Sequence, residues 1–263
     1  MFIKILGFLA YLGMIAVNML ANALPINNLS TGEVSELYPN LFTPVGLTFS
    51  IWGLIYLLLA LYILYQFGLF QEDKGKSKED LFKKLGIYFI ITSIANMAWI
   101  YAWHYTLIGP SLLIMIVLLV FLIKIANLLN KQKFSLKDKF FVRLPFTIYF
   151  GWITVATIAN VTAFLVSLNW DGFGIPEHVW MVLILLVGMI IGILRMIKDK
   201  RIAYGLVFIW AYIGILIKHT SAVGFAGEYG SIIMTVILCI FAFLLFGFLI
   251  LFKNQKILKL LKN

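Results

Sequence analysis

Residues 149–160 read YFGWITVATIAN, which spaces Tyr149, Trp152, Ala156 and Asn160 three or four positions apart inside an apolar run. That spacing stacks the four side chains on one face of a helix. Two other apolar runs carry related patterns, Trp52 with Tyr56, and Asn96 with Trp99 and Trp103. A polar amide in such a run needs a partner from protein or ligand. Together the three faces predict an aromatic pocket with a few polar groups, buried in a membrane bundle.

The rest of the chain supports a bundle in lipid. Of its 263 residues, 63% are hydrophobic and only 12% charged. Soluble domains sit nearer about 45–50% apolar, so this much apolar surface needs lipid as its solvent. Eight apolar segments lie near 3–24, 44–69, 85–105, 109–130, 143–168, 177–197, 202–219 and 229–252. Each approaches the roughly 20 helical residues that span a bilayer. The break at Thr106–Pro110 is short and uncharged, and Gly109-Pro110 reads as a tight helical hairpin. The fold class is therefore an all-α polytopic membrane protein with eight transmembrane helices.

Charge placement orients the segments. Twenty of the 21 Lys and Arg fall at the N-terminus, in the loops 70–84, 131–143 and 195–201, or in the tail 253–262, counting Lys124 as snorkelling from its helix end. The exception is Lys218. The alternate loops hold Glu33, Glu36, Asp171, Glu177 and Glu228. This is the positive-inside pattern, and it predicts a multi-pass protein of the plasma membrane with both termini cytoplasmic. The net charge of +10 thus faces anionic lipid, and nucleic acid is not a partner. Lys4, an apolar run and Ala21-Asn22-Ala23 also resemble a cleavable signal peptide. Against cleavage, the run is long, and Asn18 and Asn22 look like packing groups.

Helical rise brings the three aromatic faces to one depth. Entering from outside near Pro44, the second segment carries Trp52 about 12 Å and Tyr56 about 18 Å in. The third, starting inside near Lys84, carries Asn96 about 18 Å up, with Trp99 and Trp103 above. The fifth puts Trp152 roughly 13 Å and Asn160 about 25 Å up from Arg143. All three overlap between the midplane and the outer leaflet. The competing reading is packing and anchorage: Trp103, Tyr105, Trp170 and Trp180 suit the membrane interface, and Ala156 and Asn160 suit helix contacts.

These residues resemble the translocator protein / tryptophan-rich sensory protein (TspO) family. Tyr149, Trp152, Ala156 and Asn160 match its fifth-helix pattern, with Ile148 where the family has proline. Asn96, Trp99 and Trp103 fit its third helix, with His104 replacing an aromatic. Pro44, Trp52 and Tyr56 fit its second helix, while Gly46 and Thr48 replace aromatics that line its pocket. The resemblance covers about residues 1–168, a TspO-like five-helix core, and leaves 169–263 as three additional helices with a basic cytoplasmic tail. It implies a receptor-like protein for porphyrins or other planar hydrophobic molecules, and a homodimer. Trp52, Trp99 and Trp152 would then be stacking walls, with Tyr56, Asn96 and the more distant Asn160 as polar contacts. The acidic loop Pro25–Thr43 would be a lid. A porphyrin is the ligand implied, and no cofactor is required.

Other function classes are weighed by what is missing from the apolar runs. All 11 Asp and Glu sit in loops or at helix ends, against a proton relay but not against a transporter or permease-like subunit for a small hydrophobic molecule. Lys218 sits at a helix end, where a retinal Schiff base is disfavoured. His104, His178 and His219 do not follow a metal spacing, Cys239 is the single cysteine, and there is no P-loop. Receptor, transport subunit and ligand-modifying enzyme stay open, with no catalytic residue assigned.

Overall fold

A computed structural model describes residues 1–24, 26–70 and 79–260, with side chains as far as Phe252. Pro25 of the loop expected to act as a lid, the loop lysines Lys74, Lys76 and Lys78, and Lys262 lie outside the described residues. The described chain is helical without strands: α1 (Phe2–Ala23), α2 (Thr31–Glu36), α3 (Ile51–Gln66), α4 (Glu79–His104), α5 (Ile108–Asn130), α6 (Leu136–Asp138), α7 (Leu144–Ser167), α8 (Glu177–Asp199), α9 (Ile202–Thr220) and α10 (Gly230–Leu260). A π-helical turn, Lys139–Arg143, joins α6 to α7. Among the described residues, eight helices are long and apolar enough to cross a membrane. The protein is a multi-pass integral membrane protein.

Helix limits differ from the expected segments where backbone groups have other partners. The second segment becomes α-helical only at Ile51, after a 3₁₀ turn over Gly46–Ser50. Ahead of it the Val45 amide donates to the Gly214 carbonyl, and the Thr48 carbonyl accepts from Trp210 Nε1. Groups so engaged are lost to an α-helical ladder. The third segment begins earlier, at Glu79, where Glu79 and Asp80 suit the positive end of the helix dipole.

The chain divides into two compact units. The first comprises Met1–Asn40 and Phe49–Asn169. Its long helices close into a ring in the order α1, α4, α5, α7, α3 and back to α1. The α5 face toward the bundle repeats at Ser111, Met115, Leu118, Leu122, Ile125 and Leu129, while Leu113, Ile116, Val117 and Val120 stay exposed. That is an apolar helix with a packing seam and a lipid-facing side. α1 and α4 approach closely because Gly86 is small: a Cβ there would lie 2.7 Å from Ile3 Cγ2. α3 makes far fewer close backbone approaches to α1 and α7 than the other neighbours make with each other.

The second unit comprises Leu41–Thr48 and Trp170–Asn263. α8, α9 and α10 pack against one another. Leu41–Thr48 runs antiparallel along α9, bonded at Leu41 O to His219 Nε2 (2.9 Å), at Val45 N to Gly214 O (3.3 Å) and at Thr48 O to Trp210 Nε1 (2.8 Å). Gly214 is required here, since a Cβ would stand 1.9 Å from Thr48 Oγ1. The Leu41 amide donates to Glu177 at the start of α8.

Candidate functional site

The ring of the first unit turns aromatic side chains of α3 and α7 toward each other. Trp52 and Tyr56, one turn apart on α3, stack with centroids 5.4 Å apart and planes at 20°. From α7, Tyr149 and Trp152 meet the same Trp52 ring edge-on at 6.0 Å and 6.3 Å. Phe49 also meets Trp152 edge-on, at 6.0 Å. Tilted and edge-on contacts of this kind satisfy the ring quadrupoles. They also explain the wider spacing of α3 and α7, because whole rings stand between the backbones.

α4 supplies the third wall. Asn96 is fully buried, and its Oδ1 accepts from Asn18 Nδ2 of α1 at 2.7 Å. Asn18 Nδ2 also donates to the Met14 carbonyl, which fixes the direction of the amide pair. The Asn96 Nδ2 therefore points onward, beside the Tyr149 hydroxyl but without a hydrogen bond to it. Tyr11 holds α3 in place by donating to the Tyr56 carbonyl at 3.0 Å.

Five polar atoms of this wall system have no hydrogen-bond partner: Tyr56 OH, Asn96 Nδ2, Trp99 Nε1, Tyr149 OH and Trp152 Nε1. An orphaned buried donor costs about 1–3 kcal/mol. Five would cost roughly 5–15 kcal/mol, as much as the net stability of a typical domain. A stable protein does not leave all of them dry and unbonded. Indole and amide N–H groups only donate, and a tyrosine hydroxyl donates or accepts. The site is accordingly rich in donors, and the one amide acceptor, Asn96 Oδ1, is already engaged by Asn18.

The other expected residues fall into different surroundings. Trp103 stacks on Trp99 at 5.6 Å, but its Nε1 donates to the Thr31 carbonyl and its ring touches Tyr38 at 6.4 Å. It thus carries the segment between α1 and α3. Asn160 is buried with its Oδ1 accepting from Ser111 of α5 at 3.2 Å, a helix–helix contact. Ala156 is half-buried on α7. Trp52, Tyr56, Tyr149 and Trp152 form one ring cluster with Asn96 beside it, and Trp103 and Asn160 have their own protein partners.

Sequence reasoning left Asn18, Tyr11 and Phe49 out of the site. Asn18 carried a signal, as an amide in an apolar helix, but its partner was not legible. His104 is likewise structural here. Its Nδ1 lies 3.0 Å from the Ile26 carbonyl, so it carries the proton, and Nε2 accepts from Thr31 Oγ1 at 3.1 Å. Asn27 Nδ2 donates to the His104 carbonyl, clipping residues 26–31 to the end of α4. α2 follows with a capping box between Ser30 and Glu33, and the Ser30 amide on its carboxylate holds Glu33 below the usual carboxylate range.

No curated protein and no solved structure matches this chain at a significant level. The family model of the TSPO-like protein does match, over residues 4–251. That span runs from α1 into α10 and includes the three C-terminal helices, which the motifs near 1–168 do not reach. The chain belongs to the TSPO-like protein family.

Proposed function

We propose that the five-helix unit is a receptor-like site for a flat, mostly apolar molecule of the porphyrin class that carries hydrogen-bond acceptors. One observation carries this reading: Tyr56, Tyr149 and Trp152 of the Trp52 ring cluster, and Asn96 beside it, each keep a buried polar atom without a partner. Aromatic faces suit a conjugated plate, and unpaired donors suit its carbonyl, carboxylate or ring-nitrogen atoms. Trp52 and Trp152 are the walls in this reading. Tyr56, Asn96 and Tyr149 are the polar contacts. Residues 26–40, packed on the end of α4, are the cover.

The charge pattern supports a plasma-membrane protein with both termini in the cytoplasm, and hence a site in the outer half of the bilayer. Reporters fused to each terminus check the orientation, and an external C-terminus would contradict it. Binding is tested by titrating the detergent-purified protein with protoporphyrin IX and following tryptophan quenching, alongside Trp152→Leu. The expected result is saturable micromolar binding, weakened at least tenfold in a variant that stays folded. Equal quenching in both proteins would place the ligand elsewhere.

A further inference from the structure

The first unit holds a second set of unpartnered groups at the other end of α3. Tyr62 and Gln66 stand one turn apart and are 0% and 2% exposed. The Tyr62 hydroxyl and Gln66 Nε2 have no hydrogen-bond partner. Tyr62 and Gln66 lie about 9 Å and 15 Å along the helix from Tyr56.

The surroundings restrict what fits. Tyr62 meets Phe89 and Phe146 edge-on at 5.5 Å and 4.8 Å, and those two rings meet at 5.9 Å. Rings packed so closely leave no slot for a plate. On the α1 side the wall is Gly7, where even an added Cβ would keep 3.8 Å from Gln66 Nε2. One turn before it, the Lys4 ammonium donates to the Gln66 carbonyl. Among the described carboxylates at this end, Asp138 is engaged by Tyr65 and Ser135, and Glu79 and Asp80 stand exposed at the start of α4. Lys4, Gln66 Nε2 and Tyr62 therefore offer donors and a positive charge to an acceptor from outside. The junction of α1 with α3 is sparsely packed, and its rim is the Phe8–Phe67 pair, 38% and 41% exposed.

We propose that this is a second binding site, taking the carboxylate of a single-chain amphiphile, a long-chain fatty acid, whose chain leaves between α1 and α3 past Phe8 and Phe67. The carboxylate meets the Gln66 amide and the Tyr62 hydroxyl, with Lys4 as counter-charge. A charge-assisted bond of this kind is stronger than one between neutral groups. The site does not depend on the porphyrin reading, since it shares no side chain with it.

The test is binding of radiolabelled palmitate to the full-length protein in detergent. Saturable binding is expected, with unlabelled palmitate competing at least tenfold better than its methyl ester. Tyr62→Phe and Gln66→Leu should each weaken binding at least fivefold. Tyr62→Phe keeps the ring and removes only an unbonded hydroxyl, so its melting temperature shows that loss of binding is not loss of fold. Trp152→Leu should bind palmitate like the parent protein. Absence of saturable binding, equal competition by the methyl ester, parent-like affinity in both α3 variants, or loss of palmitate in Trp152→Leu would each overturn the proposal.

Discussion

Trp52 and Trp152 meet edge to face, with centroids 6.3 Å apart and planes at 85°. They stand on α3 and α7, whose backbones approach each other sparsely. Side-chain rings thus bridge this gap, whereas α1 and α4 come close at the small Gly86. A helix held off by aromatic rings keeps the polar atoms beneath them out of reach of partners on the facing helix.

Tyr149→Phe tests this arrangement. It deletes a hydroxyl that has no hydrogen-bond partner within the protein, so the melting temperature should hold or rise, by about 1–2 kcal/mol of stability at most. Protoporphyrin affinity should fall by roughly tenfold if the hydroxyl serves the ligand. A marked fall in melting temperature would show that the hydroxyl has a structural partner.

Asn18→Leu should behave in the opposite way. It removes the donor to Asn96 Oδ1 and leaves a buried acceptor unpaired on α4. Thermal unfolding in detergent should show a loss of about 1–3 kcal/mol. The double variant with Asn96→Leu should recover part of it, because an apolar pair leaves nothing unsatisfied.

Gly86→Ala should push α1 from α4, as its Cβ would lie 2.7 Å from Ile3 Cγ2. Overpacking of this kind costs about 1–3 kcal/mol. Ile3→Ala in the same chain should restore stability by removing the opposing methyl group. Failure of that rescue would mean that the helices are held apart by something other than this contact.

Glu33 makes the α2 cap sensitive to acid. Its folded-state pKa lies below the ordinary value because it accepts the Ser30 amide. A depressed carboxylate pKa contributes stability above the unfolded value, near about pH 4.3, and that contribution disappears as pH falls through the folded value. Hydrogen exchange of amides in Thr31–Glu36, corrected for intrinsic rates, should lose protection below about pH 4. In Glu33→Gln that step should be absent.

Hydropathy and charge made the spans legible, because lipid imposes long apolar helices and the cytoplasmic side collects cations. The spacing of Tyr149, Trp152, Trp52 and Tyr56 made the ring cluster legible for a similar local reason: helical period alone decides which side chains share a face. Nothing local distinguishes Asn96 from Asn160, both amides in apolar helices beside aromatic residues. Their fates differ through residues distant in the chain. Asn160 faces Ser111 across α5 and is satisfied, whereas Asn96 spends its oxygen on Asn18 and keeps a free N–H. Trp99 and Trp103 share a face, yet only Trp103 reaches a carbonyl, that of Thr31. The chain by itself determined a membrane bundle and its aromatic faces, since both follow from periodicity and transfer into lipid. Only the tertiary structure decided which polar atoms remain unpaired, because hydrogen-bond satisfaction is a property of the groups that packing brings together.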